Sequence, residues 1–521
     1  MVYPGHYVQD TPDRVALIVA GTGEITTFRE LDDASIQLAR VFWDAGLRPG
    51  DHVALFSENH PRYFEVYWAA LRSGLYLTPI NRSLTAPEVA FIVDDSDARL
   101  VVSSELLGDV AQELPGLVPG CAGWLMYDGI RPGYASYEEA IDAQPAVPLD
   151  EQPLGEVMFY SSGTTGRPKG IVRPLTGKTI ESNAGGKMAA SFLGMDPGAV
   201  YLSTAPLYHT AALGFAAATQ AMGGTCVLME RFDAEEALRS IEIYGVTHTQ
   251  WVPTMFKRLL DLPAEVRDRY DLSSHRVALH GAAPCPVDLK RRIIEWWGPI
   301  VLEYYGATEG NGMTVIDSEE WLAHVGSVGL PVFGSIHICD EDGAPLPTGE
   351  DGLVYFERDK LPFAYHNDDA KTSATRHPVH SLWTTLGDVG HLDDDGYLYL
   401  TDRQEFLIIS GGVNIYPAES ELLLLTHPLV ADVAVIGVPD AEFGEAVKAI
   451  VELREGDVGT PEREAELIEF CRGHLAHFKC PRSIDFVDVL PRLETGKLAK
   501  KALRDDYRAA ASAGGWTSEA G

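Results

Sequence analysis

Cysteine is scarce in this sequence, and the few cysteines are arranged in a way that excludes two kinds of site. The chain has 521 residues and six cysteines, none of them in a C-x-x-C pair. Zinc sites and disulfide frameworks are recognised by closely or regularly spaced cysteines. We therefore expect neither, and the scattered pattern favours a reducing compartment such as the cytoplasm.

Positive charge is scarce as well. Lysine and arginine number 41 against 76 aspartates and glutamates, which gives a formal net charge of −35. Such a chain repels nucleic acids and anionic membrane surfaces, so neither is expected as a partner. If the substrates are anionic, the few cations must be concentrated where those substrates bind.

Long hydrophobic runs are absent. The longest stretch without a formal charge, Pro197–Met229, is interrupted by Pro206, His209 and a glycine pair. A membrane span needs about 20 predominantly apolar residues, so we interpret the stretch as a buried strand, helix and strand, and expect no membrane insertion. The first ten residues also lack the basic and then apolar run of a signal peptide.

Strand-like and helical patterns alternate in the first half of the chain. The predicted strand Val15–Val19 leads to a helix at Phe28–Ala45 and a second strand at Val53–Phe56, and the alternation returns between residues 198 and 252. Elements of these lengths in this order indicate parallel β-α-β units. After about residue 325, short Gly- and Asp-rich runs predict hairpins or a small barrel, and Ser512–Gly521 is predicted to be disordered.

Residues 160–171 read YSSGTTGRPKGI and combine glycines, hydroxyls and a terminal lysine. Glycines allow backbone amides to approach an anion, hydroxyls donate hydrogen bonds, and lysine supplies a point charge. Composition alone would also fit a solvated turn, and the string is not a Walker A loop, because Gly170 follows the lysine. In full it resembles the phosphate loop of the adenylate-forming superfamily, which contains acyl- and aryl-CoA ligases, luciferases and peptide-synthetase adenylation domains. The resemblance implies phosphate contacts from Ser161, Ser162, Gly163, Thr164, Thr165 and Lys169.

Further motifs of that superfamily follow in order. YYGATEG at 304–310 is similar to its adenine and metal motif, HGAAP at 280–284 to the segment lining adenine and acyl group, and LGDV at 386–389 to its T-G-D motif. Leu386 stands where the family has threonine, which leaves a hydroxyl contact there in doubt. The roles implied are adenine stacking, phosphate contact, Mg²⁺ coordination and ribose binding, and the residues implied are Gly281, Ala282, Ala283, Tyr305, Gly306, Thr308, Glu309 and Asp388.

The resemblance extends to a C-terminal domain that rotates during catalysis. Arg403 is similar to the residue ending the large domain near the ribose, and Glu405 to the pivot. The strings SGGVNIYPAE at 410–419, FKCP at 478–481 and LPRLETGKL at 490–498 resemble the pantetheine tunnel, a coenzyme A contact and the catalytic motif. They imply coenzyme A contacts from Gly411, Gly412 and Lys479, and an adenylation role for Lys497. Taken alone, Lys497 would be read as a solvated lysine of a basic tail.

The fold implied is α/β. A large N-terminal domain (1–403) of α/β subdomains plus a small β-barrel is followed by a small mobile α+β domain (404–521). The activity implied is an AMP-forming acid–thiol ligase that uses ATP, Mg²⁺ and coenzyme A on a small-molecule acid, and a homodimer is left open. Stand-alone loading of a carrier protein, luciferase-like oxygenation and a non-catalytic adenylate sensor are the alternatives.

Four segments are expected to line the acyl pocket, with His209 at its mouth unless it is a satisfied core histidine. They are mostly small or apolar and offer no obvious cation for a second carboxylate; they are residues 209–215, 251–255, 281–283 and 306–313. This favours a hydrophobic monocarboxylic acid, either a fatty acid or a steroid side-chain acid. An aryl acid stacked on Trp251 is the alternative.

Overall fold

The computed structural model describes residues 3–161, 168–183, 192–403, 406–410, 413–440, 443–492 and 498–512. No helix in these ranges combines the length and apolar character that crossing a membrane requires. All six cysteines lie within them and carry free thiols.

The first subdomain is built on a parallel sheet of six strands in the described part of the chain. Within it, the strand His52–Phe56 lies between Tyr76–Ile80 and Ala98–Ser104 and pairs with both in parallel. The helix Phe28–Asp44 precedes the strands of this sheet and packs on Arg62–Arg72, which with Ala86–Asp95 connects them. The first and third of these begin at capping boxes, in which Thr27 pairs with Glu30 and Thr85 with Glu88. The remaining strands of the sheet are Gly123–Tyr127, Ala135–Ser136 and Glu156–Val157.

A second sheet, of nine strands among the described residues, carries the subdomain that follows. Its six central strands run parallel and its edge strands run antiparallel. In spatial order, the strands are Leu330–Phe333, Met313–Ile316, Val301–Gly306, Val277–His280, His248–Trp251, Val200–Ser203, Thr225–Leu228, Val15–Val19 and Ile25–Thr27. The longer helices covering it are Thr210–Ala221, Ala234–Tyr244, Pro253–Leu260 and Val287–Trp297. The α/β prediction is confirmed. The strand Val15–Val19 has the predicted ends, and one end of the helix Phe28–Asp44 and of the strand His52–Phe56 differs from its prediction by one residue.

Antiparallel strands occupy the region where hairpins or a small barrel were predicted. In a group of three strands, Ala364–Tyr365 from this region joins two earlier strands, Phe159–Ser161 and Lys169–Val172. A five-stranded sheet consists of Ser335–Cys339, Gly352–Glu357, Trp383–Thr384, Asp388–Leu392 and Leu398–Arg403.

The C-terminal part of the chain has its own sheet and its own core. Its strands are Ile408–Ser410, Val413–Ile415, Val430–Asp440, Gly444–Leu453 and Ser483–Val487, and its helices are Pro417–Leu424, Pro461–Arg472 and Lys500–Ser512. Leu424, Val435, Ala449 and Leu467 are fully buried in one cluster, as expected for a unit with a separate core. Ser512, predicted to begin a disordered tail, instead ends the last helix.

Short helical segments complete the described chain. They are Gly108–Ala111, Leu114–Leu117, Tyr137–Asp142, Ala264–Arg267, Ser318–Ala323 and Asp369–Ala374, with 3-10 turns at Pro4–His6, Glu105–Leu107, Ile180–Ser182 and His477–Lys479.

Candidate functional site

The predicted site segments leave the nine-stranded sheet at the carboxyl ends of its parallel strands. His280 ends one strand and lies in register with Glu303 on the next, which continues to Gly306. Gly281 therefore starts beside Tyr304, and the segment Ala307–Glu309 begins three residues further along the neighbouring strand. Crevices at this edge of open parallel sheets are the usual ligand sites of α/β proteins.

The backbone at Gly281 has no space for a side chain. A Cβ atom there would lie 2.7 Å from both the carbonyl oxygen and the ring of Tyr304. The next residue, Ala282, has a φ of 71°, which is uncommon for a residue other than glycine. Strained backbone of this kind concentrates at ligand sites, because the surrounding structure must hold it.

Tyr305, Asp388 and Arg403, predicted for adenine and ribose, are brought together. The Tyr305 hydroxyl donates to Oδ2 of Asp388 at 2.6 Å, and Asp388 is 6% exposed. Arg403 lies directly opposite Asp388 in the antiparallel ladder. Leu386, where the family has threonine, packs against a buried cluster that includes Ile171 and Tyr365.

The two ends of the predicted phosphate loop also meet. Ser161 and Lys169 face each other across an antiparallel strand pair, and the residues between them that carry the prediction (Ser162, Gly163, Thr164, Thr165) lie outside the described residues. Nζ of Lys169 forms an ion pair with Oδ2 of Asp368 at 2.9 Å. The hydrogen bond from Lys169 lowers the pKa of the Asp368 carboxyl.

Glu309 makes a contact that its motif did not predict. The Tyr365 hydroxyl donates to Oε1 of this buried carboxylate at 2.8 Å, and no described residue donates to Oε2. The described ranges contain no group of three or more side chains that could hold a metal. A Mg²⁺ ion fits Glu309 on these terms, since Mg²⁺ in nucleotide sites is held by one or two carboxylates together with phosphate oxygens and water.

Two arginines and a threonine support the loop that carries Thr308. Arg173 donates to the carbonyl oxygen of Thr308 at 2.5 Å, and Arg358 donates to that of Gly310 at 3.2 Å. The Thr210 hydroxyl donates to the Thr308 hydroxyl at 3.0 Å. Arg173, to which the motif assigned no function, also lies 4.0 Å from the carboxylate of Glu156.

A buried charged pair lies below the adenine segment. Lys290, fully buried, donates to Oε2 of Glu303 at 2.5 Å, and Nε2 of the fully buried His280 lies 3.6 Å from the same oxygen. Burial lowers the pKa of Lys290 and of His280 and raises that of Glu303. The pair therefore joins the helix Val287–Trp297, which carries Lys290, to the strand Val301–Gly306, which carries Glu303.

Two residues predicted for the acyl pocket, His209 and Trp251, lie in different surroundings. His209 is half-buried at the N-terminal cap of the helix Thr210–Ala221, and its ring centroid lies 4.2 Å from that of Tyr208. The prediction that Trp251 packs on a substrate ring is wrong. Trp251 is fully buried and packs among core aromatic rings, namely Phe232, Phe256 and Trp297.

Of the C-terminal residues singled out from the motifs, the structure describes Lys479. Lys479 forms an ion pair with Glu419 at 2.6 Å and is partly exposed. The remaining C-terminal positions singled out from the motifs (Glu405, Gly411, Gly412 and Lys497) lie outside the described residues.

Tyr365 and Asp368 are the contacts that the motifs missed. Both lie in the string AYHND, whose only sequence signal is an aspartate suited to a helix cap. Their partners Glu309 and Lys169 are distant in sequence, so no local pattern could reveal the contacts.

Two family models and several known proteins match this chain. The model described as AMP-binding enzyme matches residues 6–362, and the AMP-binding enzyme C-terminal domain matches residues 419–497. A feruloyl-CoA synthase from Amycolatopsis sp is 35% identical, over 96% of this chain and 98% of its own length. A long-chain-fatty-acid–CoA ligase from Mycobacterium tuberculosis is 32% identical, over 96% of both chains. The solved structure of o-succinylbenzoate CoA synthetase from Bacillus subtilis, in complex with its acyl-adenylate intermediate, matches with a TM-score of 0.81 and 28% identity, over 96% of this chain and 97% of that one.

Proposed function

We propose that this chain, which belongs to the AMP-binding enzyme family and is an AMP-forming acid–thiol ligase, acts on a hydrophobic monocarboxylic acid. A fatty acid or a steroid side-chain acid is the class we favour. The acid reacts with ATP to give an acyl-adenylate, and the acyl group then passes to coenzyme A.

The observation that carries this choice is the absence of an available cation among the described residues of the predicted acyl pocket. The two arginines beside it donate to the carbonyl oxygens of Thr308 and Gly310. Ala212 and Leu213 of the pocket segment are buried, and Ala211 and Phe215 are half-buried. A second carboxylate on the acid would be desolvated there without a partner, which is costly.

In the first half-reaction, a carboxylate oxygen of the acid attacks the α-phosphorus of ATP, and pyrophosphate leaves. Catalysis of this kind is mainly positioning and electrostatic stabilisation. We assign phosphate binding to Ser161–Thr165, Lys169 and Lys497, and nucleoside binding to Tyr305, Asp388 and Arg403. A Mg²⁺ ion held by Glu309 would neutralise charge on the phosphate oxygens.

In the second half-reaction, the coenzyme A thiol attacks the adenylate carbonyl and AMP leaves. We propose that the small domain turns about Glu405 between the two steps, which withdraws Lys497 and opens a thiol channel at Gly411–Gly412. Lys479 would then contact the nucleotide of coenzyme A by exchanging Glu419 for phosphate.

An aryl acid is the second candidate. The rings of Phe215 and Tyr304, beside the predicted pocket, lie 6.0 Å apart in an edge-to-face arrangement that an aryl group could extend. The 35% identity to a feruloyl-CoA synthase supports the same class.

The test is AMP release from ATP and Mg²⁺, with and without coenzyme A, over octanoate, palmitate, cholate, ferulate and benzoate. Turnover that requires coenzyme A and prefers the aliphatic or steroidal acids supports the proposal. Preference for ferulate or benzoate selects the aryl alternative. Adenylate formation that coenzyme A does not accelerate indicates a carrier-protein acceptor, and no turnover with any acid refutes the proposed pocket.

A further inference from the structure

One short segment contacts both the predicted metal ligand and the predicted phosphate lysine. At residue 365, the Tyr365 hydroxyl donates to Oε1 of Glu309 at 2.8 Å. Three residues later, Oδ2 of Asp368 pairs with Nζ of Lys169 at 2.9 Å. Glu309 follows a strand of the nine-stranded sheet and Lys169 begins a strand of the three-stranded group, so residues 364–372 link two separate motifs.

The segment itself is firmly held. The strand Ala364–Tyr365 pairs with Lys169–Val172, and the amide of His366 donates to the Gly170 carbonyl at 2.8 Å. The Thr372 hydroxyl accepts from the amide of Tyr365 and donates to the carbonyl of Asp368, both at 2.9 Å. A side chain positions another group only when its own support is rigid, and this condition is met here.

Asp368 and Glu309 each use one carboxylate oxygen for the contact described above and leave the other for a separate interaction. Oδ1 of Asp368 accepts from the amide of Lys371 at 2.8 Å as a helix cap, which fixes the oxygen that meets Lys169. The ammonium of Lys169 has three donors, so the contact with Asp368 leaves two for phosphate oxygens. The Tyr365 hydroxyl takes Oε1 of Glu309 and leaves Oε2 for a cation.

We propose that Tyr365 and Asp368 are positioning residues of the nucleotide site. Tyr365 orients the Glu309 carboxylate toward Mg²⁺, and Asp368 orients the Lys169 ammonium toward the phosphates of ATP. The proposal rests on the proposed function in taking ATP and Mg²⁺ as ligands, and it is independent of which acid is activated.

The test measures ATP binding to the full chain by calorimetry, without acid or coenzyme A, once in EDTA and once with Mg²⁺. Tyr365→Phe should weaken binding of Mg²⁺-ATP about three- to tenfold and leave ATP in EDTA unchanged, because it loses one hydrogen bond to a charged group. Asp368→Asn should weaken ATP binding by a similar factor in both conditions, because Lys169 acts on phosphate whether or not the metal is present. Asp368→Glu should recover part of the affinity.

Two variants serve as matched controls. Asp369→Asn makes the same charge change at an exposed neighbour, and Tyr399→Phe removes another tyrosine contact to a carboxylate, the one to Asp393 at 3.3 Å. Both should bind ATP as wild type does, and thermal unfolding of all variants separates lost positioning from lost folding. Wild-type affinity in Tyr365→Phe and Asp368→Asn, or tighter ATP binding in Asp368→Asn, overturns the proposal. A wild-type chain that binds no Mg²⁺-ATP overturns the proposed function together with it.

Discussion

At the scale of single residues, Lys290 and Glu303 hold two charges in the interior beside His280. A buried ion pair contributes little net stability compared with apolar residues of similar size, but loss of one partner leaves the other charged and unpaired. Lys290 lies on the helix Val287–Trp297 and Glu303 on the strand Val301–Gly306, so the pair joins this helix to the strand that runs beside His280.

We predict that Lys290→Met lowers the free energy of unfolding by about 3–5 kcal/mol, and that adding Glu303→Met recovers most of the loss. Lys257→Met breaks a half-exposed lysine–aspartate pair and should change stability by less than about 1 kcal/mol. Urea unfolding followed by circular dichroism measures all three. A double variant as unstable as Lys290→Met would contradict this account.

Lys497 carries the sharpest functional prediction from sequence. Lys497→Ala should reduce the rate of adenylation by about 10²–10³, as loss of one preorganised charge stabiliser does. Pyrophosphate exchange with the preferred acid measures this rate. Lys501→Ala, which removes a partly exposed lysine paired with Asp505, is the control and should exchange normally. Normal exchange in Lys497→Ala would refute the assigned role.

The motifs identified Tyr305, Asp388 and Arg403, which lie close together, because each motif specifies a residue type at a fixed position in the chain. They could not predict Tyr365 or Asp368, whose roles depend on contacts between remote segments. Trp251 was misjudged for a related reason. Its strand position fixes only that it faces one side of the sheet, and that side is the aromatic core rather than the pocket.

At the scale of secondary-structure elements, hydrophobic periodicity predicted the strands and helices of the parallel sheets well. The strand Val15–Val19 has the predicted ends, and the helix Phe28–Asp44 ends one residue before the predicted Ala45. The antiparallel region was predicted only as hairpins or a barrel, because strand order there depends on pairing between distant segments, such as Gly352–Glu357 with Trp383–Thr384.

Substitutions at Glu405, the predicted pivot, test the proposed rotation of the small domain. Glu405→Pro restricts the backbone φ at the residue about which the small domain is proposed to turn. We expect pyrophosphate exchange to continue and thioester formation to fall, while Glu405→Ala, which leaves the backbone unrestricted, should support both. Separate assays of the two half-reactions decide the matter, and a proline variant that forms thioester at the wild-type rate would exclude this pivot.

At the scale of the whole molecule, buried histidines connect stability to pH. Burial lowers the pKa of His275 to about 3 and that of His52 to about 4, below the ordinary value of 6.5. Such groups stay neutral in the folded chain but bind protons when it unfolds. Their contribution is therefore fully present above pH 6.5 and is lost progressively as the pH falls below that value.

We predict that the free energy of unfolding falls between pH 6.5 and 5, and that His275→Gln reduces this slope by about 1 kcal/mol per pH unit. His474→Gln, at an exposed histidine, is the control and should leave the slope unchanged. Urea midpoints across this range provide the measurement. An unaltered slope in His275→Gln would show that the ring is already protonated in the folded state.

The strand Leu398–Arg403, which ends the proposed large domain, is joined to the first helix of the proposed small one. Oδ2 of Asp402 accepts from the amide of Ala418 at 2.9 Å, at the start of the helix Pro417–Leu424. Any turn of the small domain that moves this helix away from Asp402 must give up a helix cap, which is worth about 0.5–2 kcal/mol. That amount alters the ratio of two domain orientations by about 2- to 30-fold. If the small domain turns as we propose, Asp402 therefore favours this orientation over the other before any substrate binds.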